Sequence, residues 1–528
     1  MVVKDLLTRT TGRFYTPPII GSELAARLAR EWDSTKTDVS IIDPFCGDGR
    51  LVHWLIEALK QRLDFKSLSI ELWDVDADAV DIAVRSLRDA VGKLSAKSSV
   101  KGFKGDSFLH AVSKREKFDI VITNPPWDVL KPDHRELSCF TPEQKGKYID
   151  ELKGRDRELV ENYRVSSPAK RFSGWGTNLA RVGTELAGKL VKAGGLCGIV
   201  SPDSLLADQN SIQLRKWIFT NFKLESVSHF PAEGRFFAGV DQPTITAVFR
   251  ATQPKTNSRA KLRHFSKFGK MEREGSVAIS PTVLSLEDWT VPIFMPSDWV
   301  DTKRKLDVLP KWIELESSDS LWSGRELDET KSAGFLSEYG RIRFAKGRMV
   351  SRYKLDAEES LFVNEQARKI PKSSTFVRIG WRDVSRPTQR RRMQATLIPP
   401  NFTTGNSINV AYFSSHEKAK LLALLAVVNS IVFESQLRLR SATAHVSLGA
   451  VRQIRVPDFS CSKTVKLLAS VATKCLRGSI NEDRMAEIEV AKAYGLNRDE
   501  FESTLQIFPK LEKVERTILL SHPIWSQL

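Results

Sequence analysis

Residues 39–56 read VSIIDPFCGDGRLVHWLI. A short apolar run, Val39–Asp43, ends on an acid and a proline, Gly47 and Gly49 bracket Asp48, and an amphipathic stretch opens at about residue 51. That succession is a strand, a tight turn and a helix. Glycines at such a turn let backbone approach a ligand closely, and the following helix N-terminus favours an anionic group. The same rhythm continues outward. Apolar runs at Ser69–Asp74, Ser99–Asp106, Phe118–Asn124, Leu196–Ser201, Glu225–Phe230 and Thr244–Phe249 read as further strands. Amphipathic stretches at about 20–32, 51–62, 77–95, 177–193 and 210–221 read as helices. Alternating units of this kind predict an α/β fold, a doubly wound, Rossmann-like parallel sheet. The last two strands have only PAEGRFFAGVDQ between them, so they are expected to run antiparallel at one edge.

The chain is 528 residues long, which argues for two or three domains. Hydrophobic residues at 41% and charged residues at 27% exclude global disorder and collagen-like repeats. The longest strongly apolar stretch, Leu421–Val428, is far short of the ~20 residues of a membrane-spanning helix. The first residues, MVVKDLLTRTTGRFYTPP, lack the apolar block of a secretory signal, so a cytoplasmic protein is expected, with no membrane partner. Cys46, Cys139, Cys197, Cys461 and Cys475 are scattered without a CxxC pair, as in a reducing compartment, and no metal site is expected.

Charge is distributed unevenly. Lys and Arg number 81 against 64 Asp and Glu, a net of +17, yet residues 1–250 carry only +4. Residues 341–460 hold 21 basic and 8 acidic side chains, a net of +13, which reads as a surface for a polyanion. Residues 126–177 form a long polar interruption after the fourth strand. Residues 251–320 read as a connector, 321–459 as short strands broken by one helix at about 416–438, and the tail from 462 as helical.

Three features fall in order along the first domain: DPFCGDG at 43–49, Asp74 at the end of the second strand, and Asn124-Pro125-Pro126-Trp127 at the end of the fourth. In a doubly wound sheet all three lie at the carboxyl edge, where ligands bind. An acid in the position of Asp74 can take both hydroxyls of a ribose. Two consecutive prolines make a stiff backbone without N–H groups, holding an amide side chain beside an aromatic ring. That arrangement suits holding an exocyclic amino group while a flat ring stacks on Trp127.

With GRFYTPP at 12–18 ahead of the glycine loop, Asp106-Ser-Phe108 after the third strand and FFAGV at 236–240 between the last two, the chain resembles an S-adenosylmethionine-dependent N6-adenine DNA methyltransferase. The motif order is that of the group whose target-recognition region follows the catalytic domain (the gamma type). The resemblance covers about residues 1–250 and implies a seven-stranded methyltransferase sheet. It also implies that Thr16, Asp43, Gly47 and Gly49 surround the methionine part of the cofactor, with Phe14, Pro44, Cys46 and Asn124 also lining the cofactor site. Asp74 would hold the ribose, Asp106 the adenine amino group, with Phe108 against the adenine ring. Asn124 and the Pro125 carbonyl would accept hydrogen bonds from the target N6 amine, with Pro126 stiffening the turn. A base buried in a duplex must be flipped out, with Trp127 and Phe237 as stacking walls; Phe236 competes with Phe237 for that place.

Double-stranded DNA is the expected partner, read by the basic segment. Its densest part, FVRIGWRDVSRPTQRRR at 376–392, offers Arg378, Trp381, Arg382, Arg386, Arg390, Arg391 and Arg392. Arg438, Arg440 and His445 follow near the end of the predicted helix. Most of these are expected on phosphates and two to four on base edges. The expected organisation is a catalytic domain over 1–255, a connector over 256–320, a mixed α+β target-recognition domain over 321–460 and a helical region over 461–528. The resemblance places the chain in a restriction–modification or phage-defence system, alongside a separate endonuclease or other subunits. The alternatives are an N4-cytosine methyltransferase, against which Asn124 counts because such enzymes usually have Ser there, and a non-catalytic DNA-binding specificity subunit.

Overall fold

A computed structural model describes residues 15–526 except 95, 115–116, 133–136, 139, 168–174, 241, 282–283, 285–288, 292–298, 359, 365–368, 387–388, 441–444, 479 and 509. The chain divides into two compact units, Met1–Ile293 and Phe294–Leu528.

The first unit is an α/β fold. Its elements in chain order are α1 (Pro18–Glu31), β1 (Asp38–Asp43), α2 (Arg50–Lys60), β2 (Ser67–Asp74), α3 (Ala77–Val91), β3 (Lys97–Lys104), β4 (Phe118–Thr123), α4 (Pro142–Asn162), α5 (Leu179–Leu190), β5 (Val191–Pro202), α6 (Ile212–Asn221), β6 (Lys223–Phe230), β7 (Thr244–Arg250), β8 (Arg259–Phe265) and β9 (Met271–Ala278). The sheet order is β3-β2-β1-β4-β5-β7-β6-β8-β9. Strands β1 to β5 pair in parallel and β7 runs antiparallel between β5 and β6, as the short link before it predicted. Chain order reverses between β1 and β4, which opens the ligand crevice at their carboxyl ends.

The central strands β4, β5 and β7 read as apolar runs because both faces are covered, whereas edge strand β3 is mostly exposed. Ile41, Ile120, Ile122, Leu196 and Val200 pack beneath α1, α2 and α3, with Leu24, Leu55 and Leu87 among their neighbours. The alternate residues Ile42, Val121, Cys197 and Ile199 face α5 and α6, against Leu186 and Ile218.

Two expectations for this unit are corrected. All seven predicted strands are present, but the sheet does not end near residue 255: β8 pairs in parallel with β6, and β9 closes on β8, so part of the supposed connector belongs to the sheet. The interruption at 126–177 also holds a 21-residue helix, α4, whose start is fixed by a reciprocal capping box between Thr141 and Gln144.

The second unit is mixed α+β. It comprises α7 (Trp299–Asp307), α8 (Trp312–Ser318), β10 (Leu321–Gly324), β11 (Leu336–Ser337), β12 (Ile342–Ala345), β13 (Val350–Ser351), β14 (Lys354–Leu355), β15 (Leu361–Val363), β16 (Arg378–Arg382), β17 (Ala395–Ile398), β18 (Phe402–Thr404), β19 (Ile408–Phe413), α9 (Lys418–Val428), α10 (Ile431–Arg440), α11 (Leu448–Arg452), α12 (Ser462–Cys475), α13 (Ile480–Ala493), α14 (Arg498–Leu505) and α15 (Lys513–Leu520). Two four-stranded sheets, β10-β19-β16-β17 and β11-β15-β12-β18, carry its strands, with β13 and β14 as a separate pair. One hydrophobic core runs from Leu306 through Trp381, Phe413 and Leu424 to Leu468, Ile488 and Ile524. The tail beyond 461 therefore shares the core of residues 321–460 and is not a separate region.

The predicted helix 416–438 is two helices, bent by 57° between α9 and α10. Asn429 makes the break: its amide exchanges two hydrogen bonds with the backbone of Ala395, at 3.0 Å each, while Ser430 Oγ caps α10 by accepting from the N–H of Phe433 at 3.1 Å. The apolar run Leu421–Val428 is wholly buried in the core. No single helix among the described residues is long and apolar enough to cross a membrane.

Candidate functional site

The carboxyl ends of β1, β2 and β4, with the turn after β3, bring together most of the residues marked in the first domain. Asp43 ends β1 fully buried. Its Oδ1 accepts from Thr123 Oγ1 at 2.7 Å and from the N–H of Phe45 at 3.0 Å. Its Oδ2 is buried with no partner among the described residues. Burial pushes its carboxyl up to about 7, against an ordinary value of 3.8. Pro44 and Cys46 are buried behind the loop, where the Cys46 N–H donates to the Trp73 carbonyl at 2.9 Å. Gly47 and Gly49 have φ of +49° and +80°, a region that favours glycine.

Asp74 ends β2 half-buried, with each carboxylate oxygen already oriented by backbone: Oδ2 accepts from the N–H of Gly47 and Oδ1 from that of Asp76, both at 2.9 Å. One acid thus ties the glycine loop to the end of the neighbouring strand. Asp106 caps a one-turn helix by accepting from the Phe108 N–H at 2.9 Å, and its other oxygen is ion-paired with Arg155 of α4. Phe108 is buried, its ring 5.0 Å from Phe45 and 6.1 Å from Tyr163.

Asn124 follows β4 directly and is half-buried; its Nδ2 donates to Thr16 Oγ1 at 3.1 Å. With the amide nitrogen committed to Thr16, Oδ1 is the acceptor end of the side chain. Pro125 lies against Gly183 of α5, where an added Cβ would come within 2.3 Å of the proline Cβ. Pro126 and Trp127 are half-buried. The Trp127 and Phe237 rings stand 4.8 Å apart at 60°, whereas Phe236 packs edge-on against Phe230 at 5.6 Å. Of the two competing phenylalanines, Phe237 is therefore the one beside the tryptophan. Phe14 lies outside the described residues.

Some participants escaped the sequence reading. Tyr15 stacks beneath the Arg50 guanidinium, 4.7 Å from its carbon to the ring centroid, and closes over Gly47. Thr123 reads in the sequence only as one residue of the fourth strand, yet its hydroxyl holds Asp43. Arg155 carries no local signal, because its partner lies 49 positions away.

The basic segment of the second unit departs from expectation more sharply. Arg378 and Glu326 form an ion pair with both side chains wholly buried, 2.8 Å between Nε and Oε1. Arg391 pairs with Glu434 and Glu487 in the core. Arg392 is 1% exposed, its Nε donating to the Ser385 carbonyl. Arg438 pairs with Glu434 at 2.7 Å. Trp381 is buried against Trp312. A side chain inside the core cannot reach a phosphate or a base edge, so Arg378, Trp381, Arg391 and Arg392 hold the unit together and are withdrawn as DNA contacts, whereas Arg438 is half-buried and also donates to the carbonyls of Gln389 and Arg390. Burial opposes the charge on Glu434, but the guanidiniums of Arg391 and Arg438 hold its carboxyl below the usual range. Arg382 is half-buried and donates to the carbonyls of Val350 and Arg348. Arg386 and Arg390 remain exposed, Arg390 paired with Glu515. His445 is exposed and bonds through Nδ1 to Asp383 at 2.7 Å. Arg440 ends α10, and its side chain lies outside the described residues.

Residues 63–237 match the Eco57I restriction-modification methylase family. Over 121 residues the chain is 31% identical to the type II methyltransferase M.VspI of Vibrio sp. (strain 343), spanning 23% of this chain and 26% of that protein. Over 277 residues it is 25% identical to the type II methyltransferase M.BanIII of Aneurinibacillus aneurinilyticus, spanning 48% of this chain and 40% of that protein. The chain thus spans less than half the length of these curated relatives. Among solved structures it is similar to the type IIL restriction-modification enzyme MmeI in complex with DNA, with a TM-score of 0.51 and 12% identity over 100% of this chain and 78% of that one, a likeness of fold. The match to a methylase family implies S-adenosylmethionine as the cofactor. The residues present fit it: a glycine loop at positive φ, a buried acceptor on Asp43 awaiting a donor, and an oriented acid on the neighbouring strand.

Proposed function

We propose that this chain is a DNA methyltransferase that modifies the N6 amino group of a flipped-out adenine at a fixed site in double-stranded DNA, as the modification component of a restriction–modification system. The observation that carries the reading is the Asn124 amide, held through Nδ2 by Thr16 at the mouth of the Asp43–Asp74 crevice and followed two prolines later by the Trp127–Phe237 pair. S-adenosylmethionine, when bound, supplies an electrophilic methyl on a sulfonium. Asn124 Oδ1 and the Pro125 carbonyl accept hydrogen bonds from the target amine. They draw lone-pair density onto nitrogen as it becomes tetrahedral and aim it in line, so that catalysis rests on positioning. Half-buried Trp127 offers an apolar face for the extruded base and replaces the stacking it loses, with the buried Phe237 ring supporting it from 4.8 Å. Asp74 orients the ribose, and Asp43 lies behind the methionine head.

Mapping modified bases by single-molecule sequencing in a methylation-deficient host expressing the protein tests this directly. N6-methyladenine in one fixed context is expected; N4-methylcytosine, or no modification, overturns it. Asn124→Ala should lower methyl transfer by roughly 10²-fold or more while cofactor affinity stays within a few-fold, whereas Asp74→Ala should weaken cofactor binding itself, read by calorimetry. Full transfer by Asn124→Ala would refute the proposed mechanism.

A further inference from the structure

At one end of the β10-β19-β16-β17 sheet a buried carboxylate holds two exposed side chains. Asp383, 3% exposed, follows β16. Its Oδ1 accepts from Arg325 Nη2 at 2.5 Å and from Asn409 Nδ2 at 3.1 Å, and its Oδ2 is bonded to His445 Nδ1 at 2.7 Å. Asn409 is fully buried, and its Oδ1 accepts from Arg325 Nε at 3.2 Å. Asp383 and Asn409 together grip the Nε–Nη2 edge of the guanidinium. Nη1 has no partner among the described residues, and the arginine side chain is 43% exposed.

The other buried acids of this unit show what plain neutralisation looks like. Arg378 is sealed in with Glu326 and Arg391 with Glu434, at 0% and 9% arginine exposure. Arg325 differs: its carboxylate partner is buried while its own side chain is 43% exposed. The same acid also steadies the exposed imidazole of His445, and Val384 and Arg386 are exposed on the adjoining loop. A guanidinium fixed along one edge presents the other as a flat pair of donors with little rotamer freedom left to lose. Two parallel acceptors in that plane match the O6 and N7 atoms on the major-groove edge of guanine.

We propose that Arg325 reads a guanine of the recognition sequence, with Asp383 and Asn409 as the residues that position it. This rests on the DNA-modifying function proposed above. The test maps modified sites genome-wide for the full-length protein and for Arg325→Gln and Arg325→Lys, with thermal melts alongside. The wild-type motif should contain a guanine whose identity is lost in Arg325→Gln, with preference at that one position falling roughly tenfold or more, and weakened in Arg325→Lys, which lacks the fixed planar fork, all other positions unchanged. Arg325→Lys keeps the charge beside Asp383, so it preserves the fold even where Arg325→Gln melts early. An unaltered motif in the folded variants, or a motif without guanine, overturns the inference alone. So does a loss uniform across all sites with a shallower salt dependence, the signature of a phosphate contact. A wild-type protein that leaves DNA unmodified overturns the underlying function and this inference with it.

Discussion

Asp43 shows how a single carboxylate can couple the crevice to pH. Its carboxyl is pushed up to about 7 by burial, against 3.8 ordinarily, so the folded state holds this proton more tightly than the unfolded chain. The resulting stabilisation is complete below about pH 4 and is lost as pH rises through about 7, a few kcal/mol at most. Thermal melts of the cofactor-free protein between pH 5 and 8 should therefore show a decline that Asp43→Asn flattens; a variant with the wild-type slope would assign the effect elsewhere. The sequence marks Asp43 as an acid at a strand end, and nothing in it says that Thr123, 80 positions on, supplies its hydrogen bond. The arginines of 376–392 were harder still. Local sequence gives their charge, whereas Glu326, Glu434 and Glu487, which bury Arg378 and Arg391, come from distant segments.

Among the elements, the central strands β4, β5 and β7 were legible because burial on both faces imposes apolar runs between polar turns, and α1, α2, α3, α5 and α6 because one apolar face of each packs on the sheet. Elements decided by tertiary partners were not. A helix-compatible stretch carries Asn429, whose cost within a helix is well under 1 kcal/mol, and only the Ala395 backbone across the core turns it into a bend. Helix α5 bears on the proposed chemistry through Gly183, which lets it approach the turn of Pro125. In Gly183→Ala the new methyl would sit 2.3 Å from Pro125 Cβ and 3.1 Å from Cγ, and a proline ring has no rotamer by which to yield. Helix propensity alone favours alanine by about 1 kcal/mol, so a gain in melting temperature with unchanged kcat is the outcome that would refute this packing argument. We expect instead that kcat for methyl transfer falls roughly tenfold or more as Asn124 is displaced, with cofactor KM little changed.

Across the whole molecule, the net +13 of residues 341–460 overstated the surface charge, because several of its arginines are spent inside the second unit against acids from both sides of the segment. Of the basic residues that stay outward, Arg386 and Arg390 are exposed between β16 and β17, and Arg343, Lys354 and Lys418 on β12, β14 and α9. Division into a unit bearing the crevice and one bearing the basic segment was readable from motif order and charge; the boundary was not, since β8 is short and strongly basic and β9 is polar and largely exposed. That hairpin has a practical bearing on any exchange of the second unit for another. A graft cut after residue 255 would strip β8 from β6 and leave the backbone of Ser226–His229 as an open edge, flanked by buried side chains. Fragment 1–255 should accumulate as aggregates and 1–293 as a monodisperse species on size-exclusion chromatography. Equal behaviour of the two would mean that the hairpin is dispensable to the sheet. An exchangeable second unit begins only beyond the last strand that guards that edge.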